Sequence, residues 1–295
     1  MESILNYYYG IVVNNIIKKD SYYIIECLNE EYILNELIGN IELVEQIIDI
    51  LNNTNIMYHL LVMTNDQKLF FTYEEKNYCL LKVRCNLNDK ILLSSFENIR
   101  TKGDSNWADI WSKRIDYYES QVEEVIKDNS IKYALQYYIG LTEIAIYYNN
   151  VLKEVYSNND LIYTVSHKKI SSPLSALDYY NPLNMIIDIE VRDLAEYFKM
   201  SYFNDVLTEY ELLNIIDNLK FSDALANYFF LRLLYPSYFF NMYDKYIETR
   251  DINNDIVECI KKSKDFEALL SKVYSRLKIN NNILIRLWFF KFQHL

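Results

Sequence analysis

The chain has 295 residues and a net charge of −11, and hydrophobic residues make up 51% of it, with aromatic residues at 16%. This apolar content excludes intrinsic disorder over most of the chain, and the length suffices for one large domain or two lobes. The negative charge argues against a broad nucleic-acid-binding or anionic-membrane surface, because such surfaces require clustered Lys and Arg.

Other features of the composition point to an intracellular protein. The 29 tyrosines accompany many Ile, Asn and Lys residues, which is typical of AT-rich coding drift, so they are weak evidence for any chemistry. The N-terminus has no basic leader or cleavage signal, and the most apolar window, 224–243, predicts a buried helix rather than a membrane span. Reduced, mostly buried thiols are expected at the scattered cysteines, Cys27, Cys79, Cys85 and Cys259.

The first hundred residues predict a β-rich lobe. Short β-branched and aromatic runs alternate with polar turns, and the apolar residues between the second and third runs recur at helical spacing. The strand-like runs are YYYGIVVNNII, SYYIIECLN, MYHLLVMTN, KLFFTYE and NYCLLKVR. The segment NELIGNIELVEQIIDILNNTN is therefore predicted to be one amphipathic helix inserted before the last strands.

From Asn106 onward the pattern is helical, with one strand, LIYTVSH, in the middle. The glycine-containing segment 98–106 is the best boundary. We therefore expect a β-rich lobe over 1–98 and a helical lobe over 99–295. The predicted fold class is α+β: a protein kinase-like bilobal fold, with a small antiparallel β lobe that carries one inserted helix and is followed by a larger helical lobe.

Phosphoryl transfer from ATP needs backbone amides over the phosphates, a strand Lys paired with a helix Glu, a catalytic Asp and metal-binding Asn and Asp. Gly10 stands alone and cannot form a glycine-rich cradle. Glu26 and Cys27 occupy the second strand where a phosphate-pairing Lys is wanted, although Glu42 or Glu45 could stand where the helix Glu does. The first lobe thus offers no evident nucleotide clamp.

The segment after LIYTVSH is where the catalytic loop is expected. His167 takes the place of the motif histidine, but Lys169 stands where the catalytic Asp belongs, and a lysine cannot accept a hydroxyl proton as a carboxylate does. The remaining vestigial candidates are Asp178, Asn184 and Asp188.

Asp188 falls about where the metal-binding Asp does. Alone it is a poor Mg²⁺ site, because that ion takes its few protein ligands together with substrate phosphates. A helix cap or an ion pair with Arg192 explains it better. We therefore predict no cofactor and no metal, with ATP and Mg²⁺ needed only if the chain is an active kinase.

Three segments resemble the CotS/YutH group of spore coat proteins, which are kinase-like proteins of endospore-forming Firmicutes. The resemblance spans most of the chain and rests on PLNMIIDIEVRDLAEYF at 182–198, WSKRIDYYE at 111–119 and LRLLYPSYFF at 231–240. It implies an aminoglycoside phosphotransferase-like fold, with degenerate or absent catalysis, in a protein associated with spore coat assembly.

The motif residues also have a structural interpretation. Arg192 and Asp193 open a helix, where Asp193 suits the positive end of the helix dipole, and Arg192 can reach Asp188 or Glu190. Glu196 continues the same motif. Pro236 is predicted to bend a core helix that runs through Leu233 and Phe239.

The leading hypothesis is a pseudokinase that binds other proteins, such as coat or morphogenetic proteins, in the mother-cell cytoplasm or in the spore coat. The runner-up is a divergent small-molecule phosphotransferase of the aminoglycoside or choline kinase kind, using ATP and Mg²⁺. A helical scaffold unrelated to kinases is the third possibility. A triad hydrolase is disfavoured because no GxSxG motif occurs. The sequence does not indicate the oligomeric state.

Overall fold

The structure is a computed structural model, and it describes residues 1–19, 22–86, 91, 93–96, 98–125, 128–252 and 254–279. The chain forms two compact units, each built from two segments. The first unit comprises 1–100 and 164–187, and the second comprises 101–163 and the chain from Asp188 onward. The contiguous boundary expected at 98/99 stays a prediction.

The first unit is built on an antiparallel sheet with the strand order β1-β2-β3-β6-β4 and with β5 paired to β6. Its core strand β3 has Ile33 opposite Ile24 of β2 and Leu81 of β6. The elements are α1 Glu2–Tyr9, β1 Asn15–Lys18, β2 Tyr22–Glu26, β3 Glu31–Glu36, α2 Ile41–Asn52, β4 Leu60–Val62, β5 Phe71–Tyr73 and β6 Lys76–Lys82.

The chain begins with a helix, so the strand predicted for YYYGIVVNNII is wrong over its first half. Leu5 of α1 is fully buried against Ile25, Leu34 and Leu80 of the sheet. Packing on the sheet overrides the β-propensity of the tyrosine run. Gly10 ends the helix in the left-handed conformation, with φ 66°, which is the usual role of a glycine at a helix C-terminus.

The predicted inserted helix is present but begins later than expected. Residues assigned to its start belong to β3, which runs to Glu36. Gly39 then turns the chain at φ 110°, and the side chain of Asn40 caps α2 by accepting a hydrogen bond from the Glu42 amide at 2.8 Å. The apolar residues do not show where the strand ends and the helix begins, so only Gly39 and the Asn40 cap mark the boundary.

Residues 100–189 also form a small sheet with the order β7-β8-β9. The strands and the helices of this part of the chain are β7 Arg100–Thr101, α3 Trp107–Val125, α4 Asn129–Val155, β8 Tyr163–His167, α5 Ala176–Tyr179 and β9 Met185–Ile189. The first unit contains an antiparallel sheet with α2 inserted between β3 and β4, so the alternative of a helical scaffold unrelated to kinases is wrong.

The second unit is helical, with a core dominated by aromatic and leucine side chains. Helices α6 Val191–Phe203, α7 Glu209–Asn218, α8 Asp223–Leu234, α9 Ser237–Thr249 and α10 Asn254–Leu277 complete it. Phe229, Leu233 and Phe239 are fully buried. In the part of the chain that the structure describes, no helix combines the length and the apolar character needed to cross a membrane.

Pro236 separates two helices rather than bending one, which corrects the sequence prediction. It stands at the N-cap of α9 with φ −84° and ψ 55°. A proline lacks the amide hydrogen that a continuous helix would need and sterically disfavours a helical residue before it, so α8 ends at Leu234. The break directs the carbonyls around Tyr235 toward neighbouring side chains.

Candidate functional site

The segment from His167 to Asn184 lies where the catalytic loop of a kinase-like protein is expected. His167, at the end of β8, is fully buried, and its Nε2 lies 2.8 Å from the carbonyl oxygen of Tyr179. Its ring stacks on Tyr179 with centroids 4.4 Å apart and meets Phe96 edge-on at 5.2 Å. His167 thus anchors α5 to the end of the strand.

Asn184 closes this segment by bonding to the backbone of Lys169. Its Oδ1 accepts from the Lys169 amide at 3.2 Å, while its Nδ2 donates to the carbonyl oxygens of Lys169, at 2.9 Å, and Asp178, at 3.3 Å. The side chain of Lys169 is exposed. Both ends of the Asn184 amide are therefore used in holding the loop together.

Asp178 lies in the first turn of α5. Among the residues that the structure describes, its half-buried carboxylate has no hydrogen-bond or ion-pair partner. The structure thus places His167, Asp178 and Asn184 in one loop of the first unit, with only Asp178 presenting a free polar side chain. Asp188 belongs to the second unit and is described with it.

A buried histidine, His59, holds this loop from the position just before β4, and the sequence did not suggest this connection. The Nδ1 of His59 accepts from the backbone amide of Arg84 at 3.4 Å, which leaves the proton on Nε2 to bond the carbonyl oxygen of Leu177 at 3.1 Å. Burial lowers the pKa of His59 to about 4. The imidazole is therefore neutral in the folded protein at physiological pH.

We expect this histidine to make stability pH-dependent. In the unfolded chain, where the His pKa is about 6.5, His59 becomes protonated below that pH, whereas in the folded chain it stays neutral down to about pH 4. Stability therefore falls as the pH falls through this window. Between about pH 7.5 and about pH 4, wild type should lose about 3 kcal/mol more than His59→Gln. Urea titrations of both proteins measure it, and parallel losses would contradict it.

The strand that directly precedes α2 is β3, whose sequence EYILNE contains no lysine. This corrects the assignment of Glu26 and Cys27 to the place of the phosphate-pairing Lys, because in kinases that Lys is on the strand before the helix that carries its Glu partner. Asn35 of β3 instead accepts a hydrogen bond, through its Oδ1, from the side-chain Nδ2 of Asn181 at 3.2 Å.

The carboxylate of Asp188 is surrounded by N–H donors. Its Oδ2 accepts from the Trp107 indole at 2.9 Å and from the Arg192 guanidinium at 2.7 Å, and its Oδ1 accepts from the Ile189 amide at 2.8 Å. The side chain is buried, with 4% of Asp188 exposed. The ion pair with Arg192 that the sequence predicted is therefore present, and Trp107 is a partner that the sequence did not suggest.

A second buried charge cluster contains Glu196 of the same motif. Its Oε1 accepts from Lys199 Nζ at 2.9 Å and from Arg232 Nε at 2.7 Å, while its Oε2 accepts from the Ser237 hydroxyl. Lys199 is fully buried and also donates to the carbonyl oxygens of Arg232 and Tyr235, each at 2.9 Å. The break at Pro236 provides these acceptors.

The electrostatics of this cluster follow from burial and charge pairing. Burial opposes ionisation of Glu196, but the charges of Lys199 and Arg232 hold the pKa of its carboxyl well below the usual range. Burial lowers the pKa of Lys199 to about 7 against the attraction of Glu196, and burial also lowers the pKa of Arg232. The Arg232 guanidinium further lies 5.1 Å from the centroid of the Trp107 ring. The charged side chains of Glu196, Lys199 and Arg232 are therefore paired inside the protein.

Trp107, Lys199, Arg232 and Ser237 are the partners that sequence reasoning missed. The available signal was Arg232, a charged residue within the apolar stretch of α8. Among the described residues, no group of three or more His, Cys, Asp or Glu side chains could hold a metal ion.

The chain is similar to known spore coat proteins. The family model described as "Spore coat putative kinase YutH" matches residues 2–273. Endospore coat-associated protein YutH of Bacillus subtilis (strain 168) is 27% identical over 222 residues. That alignment spans 63% of this chain and 63% of the relative, so the match covers less than two thirds of the relative's own length.

Solved structures of similar fold are phosphotransferases and kinases. A spectinomycin phosphotransferase in complex with ADP and spectinomycin has a TM-score of 0.58 at 13% identity, covering 93% of this chain and 97% of its own. An aminoglycoside phosphotransferase from Alicyclobacillus acidocaldarius scores 0.57 at 7% identity, with coverage of 90% and 93%. The choline kinase LicA from Streptococcus pneumoniae scores 0.54 at 13%, with coverage of 93% and 97%. The predicted kinase-like fold is confirmed.

Proposed function

Because residues 2–273 match its family model, the chain belongs to the YutH family of spore coat proteins, and we propose that it works in the coat as a pseudokinase that binds other proteins. It would be made in the mother-cell cytoplasm and incorporated into the coat by contacts with coat or morphogenetic proteins. No catalytic step is part of this proposal.

The observation that carries the proposal is the use of the candidate catalytic side chains for internal bonds. Both ends of the Asn184 side-chain amide bond to the loop backbone. In Asp188, Oδ2 accepts from Trp107 and the cationic Arg192, and Oδ1 accepts from the Ile189 amide. A magnesium ion needs carboxylate or amide oxygens that are free to take up octahedral geometry. These side chains therefore do not fit a magnesium nucleotide.

We expect Mg²⁺ and ATP together, each at several millimolar, to leave the thermal unfolding midpoint of the full chain unchanged. A ligand present at 100 times its Kd would stabilise the folded state by about 2.7 kcal/mol, so real binding is readily visible. ADP without Mg²⁺ is the matched control. Saturable stabilisation that disappears in a folded Asp188→Asn variant would contradict the proposal.

Variants of the candidate site test the coat assignment in spores. A tagged protein carrying Asn184→Ala or Asp188→Asn should be extracted with the coat fraction in the same amount as wild type, provided that circular dichroism shows each variant to be folded. If coat association requires an intact kinase site, both variants will be missing from that fraction while wild type is present.

One observation favours the runner-up, a divergent small-molecule phosphotransferase that uses ATP and Mg²⁺. Within the described residues the carboxylate of Asp178 has no partner, and it lies in the loop with His167 and Asn184. A free carboxylate could accept a hydroxyl proton from a substrate. This alternative requires nucleotide stabilisation in wild type and loss of phosphotransfer, without loss of fold, in Asp178→Asn.

A further inference from the structure

A small cavity lies wholly within the second unit, between the end of α4, the start of β8 and α8. Its volume is about 260 Å³. That is room for roughly nine water molecules at about 30 Å³ each, and it is below the roughly 300 Å³ at which pockets for drug-sized ligands begin. It contains none of the residues from His167 to Asn184. A nucleotide is too large for it.

Two hydroxyl groups in the wall of this cavity lack partners. The Ser105 Oγ is buried and makes no hydrogen bond, with 6% of the residue exposed. Tyr228, a residue that is 2% exposed, also lines the cavity; its hydroxyl makes no hydrogen bond to a described residue, but unlike the Ser105 Oγ it is reached by solvent from the cavity. Buried polar groups are rarely left unpaired because the lost hydrogen bond is costly. A polar ligand in the cavity would satisfy both hydroxyls.

A third hydroxyl group in the wall, the phenol of Tyr163, is held by hydrogen bonds within the protein. Tyr163 is buried, accepts from the backbone amide of Ser105 and donates to Asn158 Oδ1 at 3.3 Å. Burial, with Asp104 and Asp188 nearby, raises the pKa of Tyr163 to about 12, so the phenol is neutral. The inner wall is thus uncharged and rich in hydroxyl groups.

Charged groups of opposite sign also line the cavity. The carboxylate of Asp104 and the ammonium of Lys153 are both exposed to solvent. A ligand with a single charge would be attracted by one of these groups and repelled by the other. A ligand that carries both charges can be attracted by both.

We propose that this cavity binds a small zwitterion of the size of a free amino acid, with its ammonium group toward Asp104, its carboxylate toward Lys153 and its polar side chain toward the hydroxyls of Ser105 and Tyr228. The site does not depend on the proposed function, because neither the coat assignment nor the state of the kinase site enters the argument.

The test uses the full chain and two zwitterions, L-serine and L-glutamine, with ethanolamine as the analogue without a carboxylate and lactate as the analogue without an ammonium group. Saturation-transfer NMR detects binding and calorimetry measures Kd. We expect at least one amino acid to saturate the protein and both analogues to bind at least about tenfold more weakly, because each lacks one charge-assisted contact.

Variants then locate the site. Asp104→Asn and Lys153→Gln should each raise the Kd of the bound amino acid at least about tenfold, and Tyr228→Phe about threefold to tenfold. Tyr228→Phe removes no hydrogen bond from the described protein, so its fold should be unaffected. Lys261→Gln, which changes an exposed lysine of α10 outside the cavity wall, is the matched control and should bind like wild type.

Two results would overturn the proposal. One is the absence of saturable binding of either amino acid up to about 10 mM. The other is binding that the three cavity variants leave as strong as in the Lys261→Gln control, since the ligand would then occupy some other part of the protein.

Discussion

Glu196→Gln should lower the free energy of unfolding by about 3–5 kcal/mol, as expected when one partner of a buried ion pair is removed. The carboxylate is the only anion hydrogen-bonded to both Lys199 and Arg232 within the described residues, and all three side chains are almost completely buried. The amide that replaces it carries no charge, so Arg232 would lose its carboxylate partner in the core, and Lys199, whose pKa burial already lowers to about 7, would lose the attraction that keeps it protonated.

The matched control is Glu258→Gln, which breaks the exposed ion pair with Lys261. Exposed pairs contribute at most about 1 kcal/mol, so this variant should unfold close to wild type. Urea titrations of all three proteins give the comparison. A loss of less than about 1 kcal/mol for Glu196→Gln would show that the buried cluster contributes little to stability.

Several elements of the fold could be predicted because their determinants are local. The period-3.6 pattern placed the second-unit helices, and short β-branched and aromatic runs between polar turns placed β4, β5 and β6. The errors at α1 and β3 have different causes, because the end of β3 is marked by the local signals Gly39 and the Asn40 cap, whereas α1 depends on packing. Leu5 forms part of a helix because the sheet provides a surface that buries it, and no neighbour in sequence carries that information.

The candidate site was harder to predict, since its bonds join residues far apart in sequence. The motif placed Arg192 four residues after Asp188, and the structure contains this pair across the junction between β9 and α6. Trp107 is 81 positions from Asp188 and Arg232 is 36 positions from Glu196, so no local pattern joins them. Lys169 and Asn184 were assessed as separate catalytic positions, whereas they are hydrogen-bonded to each other.

These contacts explain the motif at 182–198, which contains Asp188, Arg192 and Glu196, without catalysis. Arg192 neutralises Asp188, and four residues later Glu196 neutralises two buried cations. A protein that has lost phosphotransfer still needs both pairs in order to fold, because an unpaired buried charge is costly. The motif could thus persist in a pseudokinase for structural reasons.

Trp107→Ala should cost about 3–5 kcal/mol of unfolding free energy, the usual range for truncating a large buried aromatic side chain. Trp107 is 2% exposed, and its ring stacks on Trp111 at 5.5 Å and lies under the Arg232 guanidinium. Its indole N–H also donates to Asp188. The alanine variant therefore removes packing, a cation–π contact and one of the donors to a buried carboxylate.

Trp107→Phe separates these contributions. Phenylalanine keeps most of the packing but has no N–H, so its cost should reflect mainly the lost donor to Asp188, about 1–3 kcal/mol. Tyr210→Ala, at a tyrosine that is 74% exposed, is the control and should change stability by less than about 0.5 kcal/mol. If Trp107→Phe is as stable as wild type, the indole hydrogen bond is not needed to hold the Asp188 carboxylate. The structural role that the pseudokinase proposal gives Asp188 would then lose support.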